Sequence, residues 1–170
     1  DLGDPAGAAA QLRAAGDALA AAGKIADAVG CWQGAIGYDP GDAASRDSLV
    51  SALVESGEPD AARDAARTSE HWHAVARGFT RTGRGRDALD ALEHALSANP
   101  DDLAARVQLA RAAMAQLDLA RAREVLGRVA DSGDPMVQFA LAEVEFRSGN
   151  FSSGRSALRR CLAGRDDLIA

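Results

Sequence analysis

The feature that most constrains this chain is a turn signal that returns with a fixed period. Gly23-Lys-Ile-Ala-Asp-Ala28, Gly57-Glu-Pro-Asp-Ala-Ala62, Gly83-Arg-Gly-Arg-Asp-Ala88 and Gly149-Asn-Phe-Ser-Ser-Gly154 each place a glycine before a helix start, with a small residue five positions on. The first two glycines stand 34 residues apart. Leu117-Asp-Leu-Ala-Arg-Ala122 stands 34 residues beyond Gly83, without the glycine, and 32 before Gly149. The step from Gly57 to Gly83 is shorter, at 26 residues. A unit of this length cannot bury its own apolar face, so the pattern calls for stacked units rather than a single closed core.

The units are helical. Of the 170 residues 47% are hydrophobic but only 4% aromatic, and much of the apolar fraction is alanine, which favours helices at close approach over a sheet. From Gly83 to Asn99, the apolar residues Ala88, Leu89, Leu92, Ala95 and Leu96 recur at spacings of three and four, one face of a helix. Asp39-Pro-Gly-Asp42 and Asn99-Pro-Asp-Asp102 end one helix and offer an aspartate to cap the next. Gly34 and Gly37 fall inside a helix at a cost of about 1 kcal/mol each, for which close packing against a neighbouring helix is the expected reason.

The pattern resembles the tetratricopeptide repeat. A unit begun at Ala9 sets Leu12, Ala15, Gly16, Leu19, Ala28, Trp32, Ala35 and Pro40 on that family's preferred positions. One begun at Ser69 sets Trp72, Val75, Ala76, Phe79, Ala88, Leu92, Ala95 and Pro100 there, which puts Trp72 in the core. Looser units begin at Ala43, Leu103 and Pro135, the last with Glu145 at a usually apolar position. The resemblance implies an all-α, right-handed α-solenoid of stacked helix-turn-helix repeats. One domain over 1–170 is expected, with repeats at about 9–42, 43–68 (shortened), 69–102, 103–134 and 135–168. Gly164-Arg-Asp-Asp-Leu-Ile-Ala170 repeats the logic of Asn99-Pro-Asp-Asp-Leu-Ala-Ala105, so the chain reads as excised from a longer protein.

Several function classes find no support. A net charge of −6 without a basic block disfavours nucleic acid, and no apolar run approaches the roughly 18 residues of a membrane span. His71 and His73 point about 200° apart on a helix and cannot share a metal ion. No nucleophile motif, zinc motif or phosphate loop is present, so neither catalysis nor a cofactor is expected. Cys31 and Cys161 read as two small buried thiols, which suits a reducing, cytoplasmic compartment, while a chain that starts at Asp1 without methionine leaves a periplasmic or secreted one open.

What the resemblance implies instead is a protein-interaction scaffold, with a peptide or partner surface held on the concave face of the first helices. The matching positions carry Arg13, Asp47, His73, Arg77, Arg81, Arg111, Met114, Phe139, Glu143 and Phe146. Arg77, Arg81 and Arg111 are read either as holders of a partner's carboxylates or as a solvated face paired with Glu70 and Glu143. Met114, Met136, Phe139 and Phe146 are read either as a binding surface or as a face covered by a further repeat. The expected partner therefore carries acidic and apolar groups, and self-association through exposed repeat ends is a further possibility. Arg13, Asp17 and Asp47 stand where the family's chaperone-tail receptors carry lysine and asparagine, which argues against that role. The alternative function is a substrate-recruiting or regulatory domain of a larger enzyme of glycosyltransferase, sulfotransferase or hydroxylase type.

Overall fold

The computed structural model describes residues 4–163, so the repeat start at 164–170 and the last positions of the fifth unit lie outside the described residues. Ten helices make up this span: α1 (Pro5–Ala21), α2 (Ile25–Tyr38), α3 (Ala43–Glu55), α4 (Pro59–Ala65), α5 (Ser69–Arg81), α6 (Gly85–Ala98), α7 (Leu103–Ala115), α8 (Leu119–Gly127), α9 (Pro135–Arg147) and α10 (Phe151–Ala163). The fold is an all-α helical-repeat solenoid. The chain divides into two compact units, Asp1–Arg84 and Gly85–Ala170.

The periodic turns share one backbone device. After α1, α3, α5 and α9 the chain enters the left-handed region at Gly23, Gly57, Gly83 and Gly149, with φ between 74° and 84°. In each, the next residue's N–H donates to a carbonyl five residues back, as from Lys24 to Leu19 at 2.9 Å and from Arg84 to Phe79 at 2.8 Å. At the turn without glycine, Leu117 adopts φ 63° and Asp118 N–H still reaches the Ala113 carbonyl at 3.0 Å. The turn geometry is thus imposed by the repeat even where the residue opposes it.

Aspartates start the helices as their positions suggest. Asp4, Asp42, Asp102, Asp118 and Asp134 cap α1, α3, α7, α8 and α9, each accepting a backbone N–H of the first turn.

In the first unit, α2 packs on α3 and α4 on α5, so each hairpin lays its second helix on the next first helix. Trp32 of α2 is buried over Gly16 of α1, and a Cβ at Gly16 would fall 2.7 Å from the indole Nε1. Gly34 approaches Leu12, whose Cδ1 would lie 3.2 Å from an added Cβ, so close packing does account for this glycine. It does not account for Gly37, which has nothing within 4 Å of its missing Cβ. The shortened second repeat shows as a seven-residue α4, followed by only Ala66, Arg67 and Thr68 before α5. Trp72 is half-buried in the first turn of α5 rather than in the core, and Val75, Ala76 and Phe79 fill that helix's inner face.

In the second unit, α6 packs on α7 and α8 on α9. Glu145, at a usually apolar position, is almost enclosed and takes both nitrogens of a fork from Arg123 of α8, at 2.8 and 3.1 Å. A charge pair replaces apolar packing between the last two repeats at this point.

Candidate functional site

In the first unit the first-helix face offers one recess with the expected chemistry. Between α3 and α5, Ser51, Val54, Glu55, Ala74, Arg77 and Arg81 line a space of about 260 Å³. Two of the expected binding residues, Arg77 and Arg81, meet here because they lie one turn apart on α5. Arg81 donates to the Val54 carbonyl in the last turn of α3, which also accepts the Gly57 N–H at 3.2 Å and lies at the negative end of that helix. Arg77 is exposed and makes no ion pair among the described residues, so its guanidinium is available to a ligand. Glu55 sets a negative charge at the same recess. A neighbouring space of about 310 Å³, lined by Asp17, Ala20, Ile25, Trp32, Ser48, Ser51, Ala52 and Glu55, shares Ser51 and Glu55 with it. The face thus runs from acidic at α1 to basic at α5.

Two other expected residues of this unit are engaged in holding helices together. Arg13 donates to Asp42 at 2.9 Å, joining α1 to the cap of α3. Burial pushes the Asp42 carboxyl up, but hydrogen bonds from the Ser45 side chain and backbone and from Arg13, with its charge, hold it below the usual carboxylate value. Asp47 lies 2.7 Å from Nε2 of buried His71. The other ring nitrogen of His71, Nδ1, accepts backbone N–H groups of Arg67 at 3.1 Å and Thr68 at 3.4 Å. Nε2 therefore carries the proton and donates to Asp47. Sequence reasoning missed this role for His71, whose signal was a threonine three residues before it, the spacing of a capping box. His73 is half-buried on α5.

In the second unit the expected residues separate. Met114 is buried and does not belong to an open surface, because it fills the interior face of α7 with Val107 and Ala110. Phe146 turns to its own hairpin partner. Its ring sits over Gly154, where an added Cβ would come within 2.8 Å, and lies 6.3 Å from the Phe151 ring. Arg111 is exposed on α7 and has no ion pair among the described residues, and Glu143 pairs with Arg147 rather than with Arg111, at 2.9 Å. Phe139 and Met136 are exposed on α9, at 49% and 47%. The two thiols, expected to be buried, are free and half-buried.

Among the described residues no helix is long and apolar enough to cross a membrane. Models of the tetratricopeptide repeat match residues 13–71 and 80–135. No curated protein matches the chain in sequence. Solved structures similar in fold include MamA, at 15% identity and a TM-score of 0.67, covering 91% of this chain and 96% of that one. YrrB, described as a TPR protein with an unusual peptide-binding site, is 15% identical with a TM-score of 0.67, covering 93% and 87%. PilF of Pseudomonas aeruginosa is 16% identical with a TM-score of 0.62, covering 94% and 78%.

Proposed function

Because this chain belongs to the tetratricopeptide-repeat family, we propose that it is a non-catalytic protein-interaction scaffold that binds an extended acidic peptide across the first-helix face of α3 and α5. The observation that carries this reading is Arg77, an exposed and unpaired guanidinium at a recess whose other arginine, Arg81, is fixed on a helix end. Arginine's planar fork suits a carboxylate. Glu55 and Asp17 disfavour further acidic groups towards α1, so the peptide's acidic segment belongs over α5 and a neutral or basic one towards α1. YrrB, similar in fold, carries a peptide-binding site by its description, which is consistent with such a use of this architecture.

The test is binding of the purified chain to an array of synthetic peptides that place glutamate and leucine in varied order, with lysine-leucine peptides as controls. Glutamate-containing peptides are expected to be retained, with affinity falling as salt rises and dropping about tenfold in Arg77→Glu, the loss of about one charge-assisted contact. Equal retention of both peptide classes, or indifference to Arg77→Glu, rejects the reading.

A further inference from the structure

Two recesses of the first unit lie on either side of α3, and Ser51 and Glu55 of that helix belong to the walls of both. The recess towards α5 holds Arg77 and Glu55, opposite charges that line one space and yet form no ion pair with each other or with any other described residue. A cation and an anion are left side by side for groups from outside.

The recess towards α1 is different in kind. Its floor is apolar, made by buried Trp32 and Ala52 with half-buried Ile25, and its only charged residues are Asp17 and Glu55. The Trp32 indole N–H donates to Asp17 Oδ1 at 3.0 Å, which fixes that carboxylate at the recess and leaves Oδ2 without a partner among the described residues. A basic side chain is the group that fits this combination. Its alkyl stem lies on an apolar floor while its charged head stays at the wetter rim. A purely apolar side chain would cover the floor but take water from two carboxylates without replacing it. Because the indole already holds Asp17, less freedom is lost when that carboxylate meets a ligand.

We propose that the partner peptide is bipolar: a lysine or arginine enters the recess between α1 and α3, its head between Asp17 and Glu55, a few residues from the acidic residue held at Arg77. This rests on the reading of the α5 recess given above and sets the register of the peptide across it. The spacing follows from α3, which with its side chains is about 10 Å across. An extended chain rises roughly 3.3–3.6 Å per residue, so the two charges stand about three residues apart. Glu55, shared by both recesses, attracts the basic residue and repels a second acidic one.

Fluorescence anisotropy of the full chain with labelled alanine-serine peptides of equal length tests this. One peptide carries a single glutamate, a second adds a lysine three residues away, and a third adds it seven residues away, with both orders of the two charges made. The second, in one order or the other, is expected to bind about tenfold tighter than the first, the effect of about one charge-assisted contact, and the third no tighter than the first. Asp17→Asn keeps an oxygen for the indole N–H but loses the charge. It should remove most of the lysine gain and leave the glutamate-only peptide unchanged. Glu55→Gln should also reduce the gain, while the glutamate-only peptide binds more tightly. An equal gain from lysine at either spacing, or a gain that survives Asp17→Asn, overturns the proposal and assigns the effect to general attraction by an acidic chain. If the glutamate peptide binds through Arg77 and lysine adds nothing, the bipolar ligand is rejected and the acidic site stands. If no peptide binds, both are rejected.

Discussion

Asp47 Oδ1 of α3 accepts a hydrogen bond at 2.7 Å from Nε2 of His71 in α5, while Nδ1 of the same ring closes the cap of α5. One side chain therefore fixes the start of a helix and ties it to the helix before it. This occurs where the second repeat is shortened: α4 is only seven residues long. His71→Ala should lose both the cap contact and the tie, costing about 1–2 kcal/mol. His71→Gln restores a reach-back at the same capping position without the ring, and is expected to recover part of that loss. Urea unfolding of the three proteins checks the order, and equal midpoints for His71→Ala and the unaltered chain would refute the role.

Gly16 and Gly37 are both helical glycines, and substitution by alanine should act in opposite directions. At Gly16 a Cβ meets the rigid, buried indole of Trp32 at 2.7 Å, and the helices must part; about 1–3 kcal/mol should be lost. At Gly37 a Cβ meets nothing, so alanine removes only the helical penalty of glycine, a gain of about 0.5–1 kcal/mol. Thermal melts of the pair provide the measurement, and a shift of the same sign in both variants contradicts the packing described.

The Asp42 carboxyl titrates below its ordinary value in the folded chain because Ser45 and Arg13 bind its ionised form more strongly than burial opposes it. Its stabilising contribution is therefore fully present above the unfolded value of about 4 and is lost as pH falls through the lower folded value. Asp42→Asn keeps a capping oxygen but cannot ionise, so its stability should fall less steeply than that of the unaltered chain below pH ~4. Denaturation midpoints between about pH 5 and pH 2.5 give the comparison, and parallel acid limbs would show that other carboxylates carry the acid sensitivity.

The repeat period, the helix pairs and the aspartate caps were legible because they depend on local chemistry at fixed spacing. Gly16, Ala28 and Trp32 announce a hairpin by size alone. The candidate site was less legible because exposure depends on what each side chain meets across a junction. Arg77 and Arg81 come together as their spacing on α5 implies. Met114 and Phe146 occupy positions that can face outwards, yet packing draws one into the interior of α7 and the other onto Gly154, whose missing side chain makes room for a ring. Asp47 and Arg13 likewise look free in sequence, and only the fold brings them to His71 and Asp42.

Leu117 offers a test of the turn itself. It holds φ 63° where the four other periodic turns use glycine, and its side chain is 85% exposed, so no packing energy repays the left-handed backbone. That conformation costs a residue with a Cβ roughly 1–2 kcal/mol. Glycine removes the cost but gives the unfolded chain more freedom, an opposing effect of about 0.5–1 kcal/mol. Leu117→Gly should therefore stabilise the second unit by up to about 1 kcal/mol, and Leu117→Asn by less, since asparagine tolerates this region only partly. Leu117→Ala keeps the Cβ and should gain nothing, which separates backbone relief from the loss of an exposed apolar side chain. Urea midpoints in the order glycine, asparagine, then alanine level with leucine would establish the turn as strained. Alanine matching glycine would instead assign the gain to the exposed side chain.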